Sequence, residues 1–267
     1  MNELVLVKLG GSLITDKARS RVARGEVITR LAEELAAART ELAAGLLLGH
    51  GSGSFGHAAA AEHRLGHGPV ATDLQRRGVA ATQVAAAHLH RQVVDALAAA
   101  GASPYSLAPS ALLTTTAGRV SHLHLEPVTG ALGLGLVPVV YGDVVIDQQW
   151  GAAICATETV LLSLAADLQR RGHRIREALW LGETPGILDA QGETVPRLTA
   201  GNLERVRTSL GDPRGTDVTG GMRLRLDSAW ALAGLGVPSR LLDGLQPGLL
   251  RRALGGRPVP GTEIPAR

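Results

Sequence analysis

Residues 4–9 read Leu-Val-Leu-Val-Lys-Leu, an apolar run interrupted only by Lys8 and closed by Gly10 and Gly11. A run of this length ending at paired glycines predicts a buried strand that enters a turn. Over 28–44 the apolar positions recur at helical spacing among strong helix formers, and Gly45 then leads into a second short apolar run at 46–48. The alternation continues with a helix over 82–100, strands at 104–107 and 136–145, and a helix over 157–171. A strand at 178–181, a helix over 221–235, a strand at 239–243 and a last helix near 247–253 complete it. Such an order predicts an α/β fold: an open αβα sandwich with a mostly parallel central sheet covered by helices on both faces. No fixed-period repeat is present, and a soft boundary falls at 165–178, where apolar helix gives way to Gln-Arg-Arg-Gly-His-Arg-Ile-Arg-Glu.

Composition narrows the class. With 267 residues, 45% hydrophobic and 19% charged, the chain buries a real core and is too apolar to be disordered. No apolar run approaches the length of a membrane span, and the start Met-Asn-Glu-Leu-Val lacks a basic leader and a cleavage site, so a soluble cytoplasmic protein with no membrane partner is expected. Cys155 is the only cysteine, which excludes an intramolecular disulfide framework and a multi-thiolate zinc site built from one chain. The formal charge of +3 is carried by scattered arginines, and aromatics make up 2% of the chain. Neither a basic block nor a set of stacking platforms points to nucleic acid. Of 27 basic residues only Lys8 and Lys17 are lysine, and both flank one glycine turn, as a site selecting compact ammonium groups would have them.

Ligands in open parallel sheets bind beyond the carboxyl ends of the strands, and four segments stand there. Lys8-Leu-Gly-Gly-Ser12 with Lys17 reads as a phosphate cradle, since glycine amides approach an anion closely and lysines neutralise it. It is not a Walker loop. The second segment, Gly49 to His57, contains Gly51, Gly53 and Gly56 in the spacing of a dinucleotide fingerprint. The chain's first strand carries a different loop, and the nearest acidic residue at the ribose distance, Asp73, follows another Gly-x-Gly, so a second anion grip formed by amides and His57 accounts for these glycines better than a nicotinamide site. Third come Gly142 and Asp143, with Asp147 and then Thr157 and Glu158 opening a helix. Carboxylates placed here can orient lysines or hold magnesium through water, or serve as a turn residue and a first-turn helix charge. Fourth is Asp217-Val-Thr-Gly-Gly-Met222 at a helix start, where free amides and the dipole suit phosphate. His88 and His90 diverge on their predicted helix and cannot share a metal. His122 and His124 lack a third ligand, and His63 and His67 read as loop or surface residues. No metal-binding residues are assigned.

In this order and register the four segments resemble the amino acid kinase superfamily, and within it the isopentenyl phosphate kinases. The match extends to the closing Gly-Thr-Glu-Ile264. The resemblance implies one amino acid kinase domain over 1–267, with an acceptor-binding lobe over about 1–170 and a nucleotide-binding lobe over about 171–267. It implies that Lys8, Lys17 and Gly10, Gly11 and Ser12 hold the transferred phosphates and that His57 bonds the phosphate of the acceptor. Gly53, Ser54 and Gly56 would supply acceptor-side amides, Asp143 would position the lysines, and Thr219, Gly220, Gly221 and Met222 would lie with the strand near 181–187 on the nucleotide side. ATP and Mg2+ follow as cofactors, a small phosphate as substrate and a homodimer as the assembly. In-line attack by an already anionic acceptor needs charge neutralisation and alignment, not a general base. Two departures stand out: Ser52 replaces the middle glycine of the family's triplet, and Arg225 replaces a lysine. A fosfomycin kinase shares the Gly-x-Phe-Gly-His ending. A non-catalytic nucleotide- or oxyanion-binding protein would keep the glycines without needing both lysines.

Overall fold

The computed structural model describes residues 3–66, 68–210 and 221–267. Asp217, Thr219, Gly220 and His67, named above, lie outside the described residues. The chain runs β1 (Glu3–Leu9), α1 (Gly11–Ile14), α2 (Gly25–Arg39), β2 (Gly45–His50), α3 (Gly53–Glu62), α4 (Asp73–Ala99), β3 (Pro104–Ser106) and α5 (Pro109–Leu112). It continues with β4 (Leu113–Thr116), β5 (Arg119–Leu123), α6 (Glu126–Gly133), β6 (Val137–Tyr141), β7 (Asp143–Asp147), β8 (Gly151–Cys155) and α7 (Thr157–Arg170). Then come β9 (Arg174–Gly182), α8 (Leu203–Ser209), α9 (Gly221–Gly234), β10 (Ser239–Asp243), α10 (Leu249–Leu254) and β11 (Thr262–Ile264).

Seven strands form the main sheet in the order β11-β10-β9-β1-β2-β6-β3, parallel at every pairing except β10 with β11. The α/β class with its mainly parallel sheet is therefore as the alternation predicts. Both faces are covered, and strand parity decides which side chain meets which layer. On β1, Leu4 and Leu6 join the core beneath α7 and α9, while Val5, Val7 and Leu9 join the core beneath α2, α4 and α10. Each of these leucines and valines is buried, worth roughly 1.5–3 kcal/mol per side chain against exposure. Lys8 belongs to the even series and so turns toward α7 and α9. On β2 the parity is offset: Leu47 faces the α7 side, whereas Leu46 and Leu48, and with them His50, face α4.

The strand expected over 136–145 is two strands in two sheets. After Tyr141 the chain breaks at Gly142, whose amide still donates to the His50 carbonyl at 3.1 Å, and Asp143 then opens a smaller sheet ordered β5-β4-β7-β8. A glycine inside an apolar run marks this change of direction. Asp147 clamps the small sheet: it accepts from Thr115 Oγ1 at 2.7 Å and from the amides of Gly118 and Trp150 at 2.8 and 2.7 Å. Burial opposes ionisation there, yet these donors hold its carboxyl well below the usual range. The turn role open to Asp147 in the sequence is the one it fills. The helix expected over 82–100 begins at Asp73, behind a capping box in which Thr72 and Gln75 satisfy each other.

Candidate active site

Four strands of the main sheet end side by side, and the ladder continues one residue past them. Gly10 N donates to Leu181 O at 2.8 Å, Gly51 N to Leu9 O at 3.0 Å and Gly244 N to Gly182 O at 2.8 Å. Beyond that point the loops after β1 and β2 lie against each other. A methyl group on Gly11 would stand 2.6 Å from Gly53 N, and one on Gly51 would stand 2.7 Å from Gly11 N. These are contacts only bare backbone can make. Gly53 has φ +51, a left-handed angle that favours glycine. Thr15 joins the two loops: its hydroxyl donates to Gly11 O at 2.8 Å and accepts from Ser54 N at 3.0 Å.

This packing decides which amides are open. Ser54 N is taken by Thr15, and Gly56 N donates to Ser52 O at 3.3 Å as α3 begins. Of the three acceptor-side amides expected from the sequence, only that of Gly53 remains. The amides of Gly11, Ser12, Ser52 and Gly53 have no acceptor among the described residues, and together they line the junction of the loops. Ser54 contributes instead a buried hydroxyl with no partner among the described residues. Ser52 has φ −74, an ordinary angle for any residue, so its side chain is accommodated without strain.

Lys8 is 4% exposed, and its Nζ donates to Glu158 Oε1 at 2.6 Å. Burial and the nearby Arg225 push the ammonium below its usual value against the pull of Glu158. Burial works against the Glu158 carboxylate too, but Lys8 and then Arg225 outweigh it and hold that group below the usual carboxylate range. Glu158 arrives by geometry: β8 ends at Cys155, Ala156 caps α7, and the first turn of that helix sits over the even face of β1. Arg225, on α9, enters the same layer. A methyl group on Gly182 would lie 2.3 Å from its Nη1, and one on Gly10 3.2 Å from its Nη2, so the guanidinium spans the ends of β9 and β1.

Asp143 does not make the lysine contact that the resemblance gives it. Its carboxylate accepts from Ser110 N at 3.1 Å and Val144 N at 2.8 Å, with its pKa raised by burial. It has no hydrogen bond or ion pair with either lysine among the described residues. The reason is the break at Gly142, which carries Asp143 into the small sheet and leaves the lysine-orienting position to Glu158. Lys17 is exposed in the loop after α1, 3.7 Å from Glu183 Oε2, and Arg24 binds the other oxygen of that carboxylate, Oε1, more closely at 2.8 Å. This tether is loose, as exposed pairs are, and it holds Lys17 at the loop that follows β9. His57 stands one turn into α3, at the position i+4 from Gly53, with an exposed edge. Local desolvation holds its imidazole below the usual value, with Glu158 pulling up and Lys8 pushing down. His57 on α3 and Lys8 on β1 therefore share one electrostatic neighbourhood. Gly221 opens α9 next to the undescribed 211–220.

The sequence reading names Glu158 as a helix-opening acid able to orient a lysine, and the parity of β1 is the signal that pairs it with Lys8. Thr15 carries no signal in sequence. His50 and His90 meet at 2.9 Å across β2 and α4, a contact that neither local pattern announces.

Residues 3–243 match the sequence profile of the amino acid kinase family. The chain is 35% identical to the isopentenyl phosphate kinase of Methanothermobacter thermautotrophicus over 98% of both chains. It is 33% identical to the isopentenyl phosphate kinase of Haloferax volcanii, covering 89% of this chain and 90% of that one. Among solved structures, one of an isopentenyl phosphate kinase superposes with a TM-score of 0.79 at 28% identity, over 98% of this chain and 100% of the other. Two glycine loops meeting at the ends of a parallel sheet, a buried Lys8–Glu158 pair beside them, and likeness over the whole length agree: the chain belongs to the amino acid kinase family.

Proposed function

We propose that this kinase transfers the γ-phosphate of ATP to isopentenyl phosphate, giving isopentenyl diphosphate and ADP. The observation that carries the reading is the meeting of the loops after β1 and β2, where the amides of Gly11, Ser12, Ser52 and Gly53 have no acceptor among the described residues and Lys8 lies buried at the end of β1. Open amides of Ser52 and Gly53 face the acceptor phosphate, and those of Gly11 and Ser12 the group in transfer. Lys8, Lys17, Arg24 and Arg225 outnumber Glu158 and Glu183 in charge, which suits two polyanions brought together. The acceptor oxygen is anionic when it arrives, so the protein's work is to align it in line and to hold charge that shifts toward the leaving oxygen. Nucleotide contacts fall to the β9 end and α9, beginning at Gly221, with Thr219 and Gly220 assigned by resemblance.

ATP fits the cradle of amides and cations. For Mg2+, no group of three His, Cys, Asp or Glu side chains suited to a metal occurs among the described residues. The ion in this reading accompanies the nucleotide phosphates and water, with no protein carboxylate assigned to it. The same reading takes the acceptor lobe as about 1–170, the nucleotide lobe as about 171–267, the assembly as a homodimer and the location as the cytoplasm. No helix among the described residues is long and apolar enough to cross a membrane.

ADP release from Mg-ATP, measured with isopentenyl phosphate, dimethylallyl phosphate, fosfomycin and no acceptor, tests the proposal. Preferential turnover of the prenyl phosphates is expected, with fosfomycin turnover alone overturning it. His57→Ala should lower kcat/KM for isopentenyl phosphate by about 100-fold or more, the range for one preorganised donor in such a site.

A further inference from the structure

Beneath the acceptor loop, on the face of the main sheet turned toward α4, lies a polar chain that the reaction as described does not use. His50 Nδ1 is 3.1 Å from Gly51 O, His50 Nε2 is 2.9 Å from His90 Nδ1, and His90 Nε2 is 2.8 Å from Ser106 Oγ. Tyr141 stacks on His90 at 4.2 Å between ring centres and more loosely on His50 at 5.8 Å. Both imidazoles are buried. Burial pushes them down to about 3 and about 4, with His90 adding to the effect on His50, so both are neutral near pH 7.

The chemistry of the partners fixes the direction of every bond. A carbonyl only accepts, so His50 carries its hydrogen on Nδ1 and donates to Gly51 O. A neutral His50 then accepts at Nε2, which requires His90 to donate from Nδ1. His90 in turn accepts at Nε2 from the Ser106 hydroxyl. The donors run one way, from the edge strand β3 through α4 to the first loop peptide beyond β2.

The terminus of that chain is significant because the sheet stops there. The His50–Gly51 peptide is still held by main chain and Thr157: its carbonyl accepts from Gly142 N and from Thr157 Oγ1 at 2.7 Å, and its N–H donates to Leu9 O. The next peptide, Gly51–Ser52, has lost the ladder, and among the described residues its carbonyl has one donor, the His50 imidazole. In a planar trans peptide the carbonyl and the N–H point in opposite directions. Pinning Gly51 O toward α4 therefore aims the open Ser52 N–H away from it, to the side where Gly142 approaches: a methyl on Gly142 would lie 3.5 Å from Ser52 N.

We propose that His50, His90 and Ser106 form a one-way relay that positions the Ser52 amide for the acceptor phosphate. His50 and His90 are positioning residues, and the assignment rests on the phosphate-acceptor reading above. A merely structural network would affect stability and leave the two substrates equally treated, whereas a relay aimed at one amide discriminates between them.

Two measurements test this. On the wild-type protein with 15N-labelled histidine, NMR near neutral pH should find the hydrogen of both His50 and His90 on Nδ1; a hydrogen on Nε2 of His50 overturns the relay. In kinetics, His50→Leu should raise KM for isopentenyl phosphate about ten-fold and leave KM for ATP within about two-fold, and His50→Asn, which keeps an N–H near the Nδ1 position, should recover most of the loss. Unchanged acceptor KM in folded His50→Leu, or equal loss for both substrates, overturns the proposal. The wild type assayed alongside separates the readings: absence of its turnover with isopentenyl phosphate overturns the activity and the acceptor role together, while normal wild-type turnover with an unaffected His50→Leu overturns the relay alone.

Discussion

Lys8 is a structural commitment as well as the proposed cation of the phosphate cradle. Its ammonium is buried at 2.6 Å from Glu158, and removal of Glu158 leaves it buried near Arg225 without its carboxylate. Glu158→Gln should cost about 3–5 kcal/mol in stability, as breaking buried pairs does, and should lower turnover through misplaced Lys8; urea unfolding and kcat measured on the same preparation check both. The pH dependence has a definite sign. Because the Glu158 carboxyl is held below its usual value in the folded chain, its contribution is present above the usual carboxylate range and is lost as pH falls through the folded value. Gly53 is committed in another way. A methyl group there would stand 2.2 Å from Thr15 Oγ1 and 2.7 Å from Gly11 O, at φ +51. Gly53→Ala should lower the thermal midpoint and separate the two loops, a loss of at least about 1 kcal/mol readable by calorimetry together with a raised KM for the acceptor.

At the level of elements, the sequence made β1, α7, α9 and β10 plain, because continuous apolar runs and 3.6-residue periodicity report burial directly. The helix expected over 28–44 ends at Arg39, since Thr40 turns its hydroxyl back to Ala37 O and the chain starts its return to β2. What stayed hidden was the small sheet. Its strands are short, β5 is largely exposed, and β7 reads as a continuation of β6 until Gly142 is seen to change its neighbours. The same break bears on the carboxylates: with Asp143 carried into the small sheet, the acid that meets Lys8 is Glu158, at the start of α7. Asp147 is the device that stabilises the departure. Asp147→Ala would leave the amides of Gly118 and Trp150 and the Thr115 hydroxyl without their acceptor, each worth about 1–3 kcal/mol when buried and unmet. A loss of about 3 kcal/mol or more is expected on chemical denaturation, with amide exchange accelerated at Gly118 and Trp150 before the main sheet responds.

For the whole molecule, the buried histidines set acid tolerance. His50 and His90 stay neutral when folded, at about 3 and about 4, against 6.5 in the unfolded chain. As pH falls below about 6.5 the unfolded state takes up protons that the folded state refuses, so stability is full above that value and declines until the folded values are passed. Near pH 5 the decline should reach about 2–3 kcal/mol per pH unit, the weight of two protons. Urea unfolding at several pH values checks the slope, and a slope near zero between pH 6 and 5 contradicts the buried neutral pair.

The order of strands around β1 has a further consequence, for the order of assembly. One edge of β1 pairs with β2, which follows closely in the chain, while the other edge pairs with β9, beginning at Arg174. Closing the first contact costs a short loop and closing the second a very long one. An emerging chain can therefore bring the loops of Gly11 and Gly53 together early, but Arg225 cannot span the ends of β9 and β1 until most of the protein has been made. Contacts of such sequence separation slow folding, and they tie completion of the sheet-end cluster to completion of the fold: the loops after β1 and β2 can meet well before Arg225 reaches them.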